Sequence, residues 1–179
     1  HVVSANGSKM LAAQHAYPAG PYSSFSFDLQ ANPNPNPPVL AQNLDEAAFA
    51  ALYPDGSRFV TTGSPSQTST IPFPAGVGNM PGMVGPRTSR MFNTATGAQI
   101  AAPGLDGVIQ FAKMPTFSPD GTRLAFNHHA ASNGHTLAML DFNAGTNAFS
   151  NLQGLYQSGS EYPGGPVFTP DGQKIVFWM

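Results

Sequence analysis

Four times along this chain an apolar stretch breaks at an Asx-Gly turn and resumes after a cation. The copies are Ser4-Ala5-Asn6-Gly7-Ser8-Lys9, Tyr53-Pro54-Asp55-Gly56-Ser57-Arg58, Ser118-Pro119-Asp120-Gly121-Thr122-Arg123 and Thr169-Pro170-Asp171-Gly172-Gln173-Lys174, each between apolar residues. Every copy asks for the same local geometry. Pro presets φ, the Asx oxygen accepts from the amides that follow, and Gly takes the left-handed region that side chains avoid. Asx-Gly between two strand-forming runs is a strong hairpin signal. Asn6, Gly7, Asp55, Gly56, Asp120, Gly121, Asp171 and Gly172 are therefore read as structural turn residues, not as a carboxylate cluster.

A second element recurs between these hairpins. Phe27-Asp28-Leu29, Phe92-Asn93-Thr94 and Leu140-Asp141-Phe142 each put an Asx at the end of an apolar strand. From turn Gly to this Asx the steps are 21, 37 and 20 residues, and from it to the next turn Gly they are 28, 28 and 31. A period of about 50 with four strands per unit is the pattern of β-propeller blades. The expected fold is all-β, built of four-stranded antiparallel blades, with about three and a half present: blade 1 about 1–44, blade 2 about 45–112, blade 3 about 113–163 and a half blade about 164–179. No helix longer than a turn is expected, residues 45–49 being the place for one. Leu124 and Phe126 alternate with Ala125 and Asn127, as in a strand packed between two neighbouring blades. Residues 32–38, alternating Asn and Pro, are expected to be extended and polyproline-like.

The stretch Pro-Asp-Gly-x-[Lys/Arg]-[Leu/Ile]-[Ala/Val]-Phe at residues 119–126 and 170–177 resembles the TolB-like β-propeller repeat, a Pro-Asp relative of the WD40-like repeats. The similarity runs over nearly the whole chain. It implies the fold, and a family that includes periplasmic scaffolds, surface proteins and the gating propellers of some peptidases, so that function has to be argued from sites.

Composition narrows the classes. Charged residues make up 9% of the chain and the net charge is −2 with seven cations. They do not cluster, which argues against nucleic acid and anionic membranes as partners. Disorder is excluded by 13 Phe and a hydrophobic share of 41%. No run approaches the ~20 apolar residues of a membrane helix. The absence of Cys excludes disulfides, thiol catalysis and thiolate metal sites. Polar surface comes from Asn, Ser, Thr and Gln, a habit of exported bacterial proteins, and a periplasmic or cell-surface location is expected. The chain opens at His1 without Met or a charged-then-apolar leader, so a signal peptide is expected to have been removed or left out.

Candidate binding residues gather on the rim opposite the Asx-Gly turns. The second-to-third loop of blade 2, residues 63–88, is long enough to be functional and holds Met80 and Met83, whose thioethers suit a soft ion or an apolar flap. His128, His129 and His135 flank the corresponding loop of blade 3; imidazoles at this spacing suit Zn or Mn but lack a carboxylate nearby in sequence. Tyr17, Tyr22, Tyr156 and Tyr162, with Glu161, suit stacking and hydrogen bonding to carbohydrate or protein. No nucleophile elbow and no acid/base pair is found, and no cofactor is expected. The reading is a non-catalytic binding or scaffold propeller. Its alternative is the propeller of a secreted hydrolase or of a metal-dependent polysaccharide lyase. Three and a half blades do not close a ring of four to eight, so the expected partners are further blades of the same polypeptide or a neighbouring chain.

Overall fold

The computed structural model describes residues 1–15, 22–30, 39–43, 49–62 and 88–179. Residues 32–38 and 45–48, and nearly all of the long loop at 63–88, lie outside them. The described strands form three four-stranded antiparallel sheets and one two-stranded sheet, each in sequential order. The first holds β1 (Val2–Val3), β2 (Lys9–His15), β3 (Tyr22–Asp28) and β4 (Val39–Asn43), and the second β5 (Ala50–Leu52), β6 (Arg58–Thr61), β7 (Arg90–Asn93) and β8 (Gln99–Ile100). The third holds β9 (Ala112–Phe117), β10 (Arg123–His128), β11 (Thr136–Asn143) and β12 (Ala148–Gln157), and the last β13 (Gly164–Phe168) and β14 (Ile175–Trp178). The repeat is thus an up-and-down blade, and the all-β expectation holds.

Period-2 side-chain alternation assigns the two faces of blades 2 and 3 to two different neighbours each. On β6, Phe59 joins Leu11, Leu52 and Phe92 in the seam between blades 1 and 2, while Val60 turns to the seam between blades 2 and 3. On β10, Leu124 and Phe126 face blade 2, and Ala125 meets Phe168 and Ile175 of blade 4. Met91, Val60, Leu124 and Phe126 are fully buried, each worth roughly 1.5–3 kcal/mol. The partly buried ion pair Lys9–Asp28, at 2.8 Å, contributes less than the seams do. The seams hold the fold together.

Three local features depart from the repeat. Four residues, His129–Ser132, form a single helical turn between β10 and β11, so the one turn of helix among the described residues lies on the rim loop of blade 3. Strand β12 runs for ten residues, to Gln157, because Leu137 and Thr136 still pair with Tyr156 and Gln157. Strand β9 carries a bulge: Ala125 pairs with Thr116 but Asn127 with Lys113, one residue more on β9 than on β10. Within it Met114 takes φ +50°, and its Sδ accepts from the Gly165 amide of blade 4 at 3.2 Å.

Candidate functional site

Two regions gather side chains able to meet a ligand. The first is axial. The innermost strands β1, β5, β9 and β13 pack in succession around a cavity of about 220 Å³ whose walls include Val2, Val3, Leu52, Phe117, Val167 and Phe168. It is open and mainly apolar. None of these residues stood out in the sequence; the available signal was that the first strand of every repeat is the inner one.

The second region is the rim opposite the Asx-Gly turns, where the β10–β11 loop meets the connection from β12 to β13. Asn127, buried near the end of β10, donates from Nδ2 to the carbonyls of Gly134 and Pro163, both at 2.6 Å. One amide therefore ties the two loops together. His135 stacks on Tyr162 with ring centroids 4.5 Å apart, and its Nδ1 lies 2.8 Å from the Glu161 carbonyl. A carbonyl only accepts, so Nδ1 carries the proton. The Ser158 hydroxyl accepts from the amides of Ser160 and Glu161 at 3.2 and 2.8 Å, and the Ser158 amide donates to the His135 carbonyl. Tyr162 is thus backed by an imidazole while 44% exposed.

His129 lies deeper, its ring 6.0 Å from that of Phe111. A Cβ on Gly134 would sit 3.2 Å from both His129 Cδ2 and Tyr162 Cδ1, so this glycine is the slot through which the two rings approach. Burial, then the charge of Lys113, then His135, lower the His129 pKa to about 4. Burial also lowers the values of His128 and Lys113. His128 stands edge-on to Phe126 at 5.6 Å. Among the described residues no three His, Cys, Asp or Glu side chains are grouped as metal ligands, and Lys113 beside His129 opposes a bound cation.

Of the residues singled out in the sequence, His129, His135, Glu161 and Tyr162 come together. Tyr156 lies near the end of β12, its ring 5.3 Å from that of Phe177 across the seam to blade 4. His128 sits beside Phe126. Tyr22 begins β3; Tyr17, Met80 and Met83 lie outside the described residues.

On the other rim each turn carboxylate is occupied by its own turn. Asp120 Oδ1 accepts from the Ser118 hydroxyl at 2.6 Å and the Thr122 amide at 3.0 Å, which lower its pKa. Asp171 does the same with Thr169 and Gln173, and Asp55 accepts from the Ser57 amide. Asn6 accepts from Ser4 and Ser8. The hydroxyl two residues before the Asx was legible in three copies. It bridges the hairpin, accepting from the amide of the later cation at 3.0 Å in blades 1 and 4 and 2.9 Å in blade 3.

With this arrangement the chain superposes on TolB of Acinetobacter baumannii at a TM-score of 0.61 and 19% identity, over 97% of this chain and 35% of that one. The TolB protein assigned in Agrobacterium tumefaciens gives 0.59 at 17% identity, over 98% of this chain and 51% of that one. The fold is that of a TolB-type β-propeller. The chain is also similar to part of the hydrazine synthase of Kuenenia stuttgartiensis, with a TM-score of 0.57 at 15% identity over 98% of this chain and 40% of that one. No protein-family model and no curated protein matches the chain. The propeller segment spans between about a third and a half of the length of the two TolB chains.

Proposed function

We propose that this segment belongs to a larger, non-catalytic propeller of an exported or cell-surface bacterial protein that binds other proteins or carbohydrate through the rim opposite its Asx-Gly turns. The observation that carries this reading is the loop pair locked by Asn127 and His135, which holds the half-exposed Tyr162 ring against an imidazole. A rigid aromatic face loses little conformational entropy on binding. Glu161 and, nearby on the same rim, Tyr156 add an acceptor and a second aromatic ring. The opposite rim has its carboxylates spent on its own turns and offers less. An exported setting is supported by the polar composition and the TolB-like repeat. The blade boundaries near 44, 112 and 163 belong to this reading.

The test uses the polypeptide as its cell makes it, with photo-crosslinking residues at positions 156 and 162 and, on the turn rim, at 122 and 173. The expected result is a discrete protein adduct, or retention on a glycan surface that is lost in Tyr162→Ala, from the first pair alone. Equal labelling of both rims overturns the rim assignment. Turnover of a peptide or polysaccharide that disappears in His128→Ala or His129→Ala overturns the non-catalytic reading in favour of a hydrolase or metal-dependent lyase.

A further inference from the structure

At three successive junctions the preceding blade covers the turn glycine of the following one. A Cβ on Gly56 would lie 2.7 Å from Lys9 Cγ, one on Gly121 2.5 Å from Tyr53 Cε2, and one on Gly172 3.4 Å from Arg123 Nη2. Polar contacts accompany the packing. Asn6 Nδ2 donates to the Asp55 carbonyl at 3.2 Å, and Arg123 Nη2 to the Gly172 carbonyl at 2.6 Å. In blade 2, Arg58 stacks over Tyr53 at 5.1 Å and reaches Ala144 and Asn147 of blade 3. All three glycines are needed for their left-handed φ of +78°, +71° and +69°, and Gly56 and Gly121 also for the space beside them.

The two ends of this series differ from the middle in complementary ways. Gly7 has the same left-handed φ, +69°, yet nothing lies within 4 Å of its Cβ position. It is exposed, whereas Gly56, Gly121 and Gly172 are buried. Lys174 stands where Lys9, Arg58 and Arg123 stand in their blades, but it is exposed and they are half-buried. Two residues further on, Leu11, Val60 and Ala125 are buried against the following blade, whereas Val176 is 64% exposed, with Val167 and Trp178 exposed beside it.

The geometry points to Lys174, Val176 and Trp178 as half of a further junction, whose other half is an Asx-Gly hairpin of the same polypeptide outside residues 1–179. This rests on the larger-propeller reading and specifies the chemistry of the contact. The incoming turn carries a left-handed glycine because the Lys174 stem takes the place of its side chain, as the Lys9 stem does over Gly56. Its inner strand is apolar and covers Val176 and Trp178. Two things favour further blades as the occupant: the same junction recurs three times within this chain, and the matched TolB chains are two to three times as long.

A benzophenone side chain at position 176, and separately at 167, in the polypeptide as its cell makes it, followed by mass spectrometry of the adduct, tests this. The expected adduct joins 176 to a peptide of the same polypeptide outside residues 1–179 that contains or adjoins an Asx-Gly turn, and Lys174→Glu reduces its yield several-fold. An adduct on residues 1–12 of a second copy, or on another protein, overturns the assignment; so does the lack of any adduct at both positions. If the polypeptide carries more Asx-Gly repeats but the adduct lies elsewhere, only this junction is wrong. If it carries none, the larger-propeller reading falls with it.

Discussion

A single hydroxyl shows how much of each turn is settled by one side chain. Ser118 donates to Asp120 and accepts from the Arg123 amide at 2.9 Å, so Ser118→Ala removes two bonds, at about 1 kcal/mol each when net contributions are counted. Because the Ser118 hydroxyl, with the Thr122 amide, holds the Asp120 pKa below its ordinary value of 3.8, the aspartate's contribution is complete above that value and fades as pH falls through the lower folded one. Acid titration of stability is expected to show a shallower fall below pH 3.8 in Ser118→Ala than in the parent. Glycines separate two costs that are usually confounded. Gly7 and Gly104 both have positive φ, +69° and +81°, but a Cβ on Gly7 meets open space while one on Gly104 would lie 2.0 Å from the Phe149 carbonyl oxygen. Gly7→Ala should cost about 1–2 kcal/mol, the left-handed penalty alone. Gly104→Ala adds a collision with backbone and should cost at least about 2 kcal/mol more, read as a shift of the urea midpoint.

At the scale of the element, hairpins were legible because Asx-Gly chemistry is local, and so were the two faces of β10, whose alternating residues go to different neighbours. What escaped is non-local. The extension of β12 to Gln157 depends on β11 offering a partner, and the bulge at Met114 depends on where Gly165 of blade 4 falls. The rim pairing of His135 with Tyr162 joins residues 27 apart in the chain, with no periodicity to reveal it. His129 was visible as a candidate but its burial was not, and burial sets its chemistry. Lys113 and His135 are the charged and titratable groups that act on it. With a folded pKa of about 4 against an ordinary 6.5, the unfolded chain binds the proton more readily. Its contribution is therefore complete above pH 6.5 and is lost as pH falls through about 4. Melting temperatures between pH 7 and pH 4 should fall less steeply in His129→Gln than in the parent, and an unchanged slope would place the proton elsewhere.

For the whole molecule the seams are unequal. Between blades 2 and 3 the cluster includes Met91, Leu105, Ile109, Leu124 and Phe126, and between blades 3 and 4 it is Ala125, Met139 and Phe168 with Ile175 against them. Local opening follows the amount of apolar burial. In the 179-residue chain, amides of β14 are expected to exchange several-fold faster than those of β10 and β11; equal protection would mean the last hairpin is held by something other than its seam. The covered glycines also have a direction. Lys9 reaches forward to Gly56, Tyr53 to Gly121 and Arg123 to Gly172, so each blade carries the cover for its successor. A ribosome releases the chain from the same end. Each hairpin after the first therefore emerges beside a lid already made, and the nascent propeller can lengthen one blade at a time without waiting for sequence still to be translated.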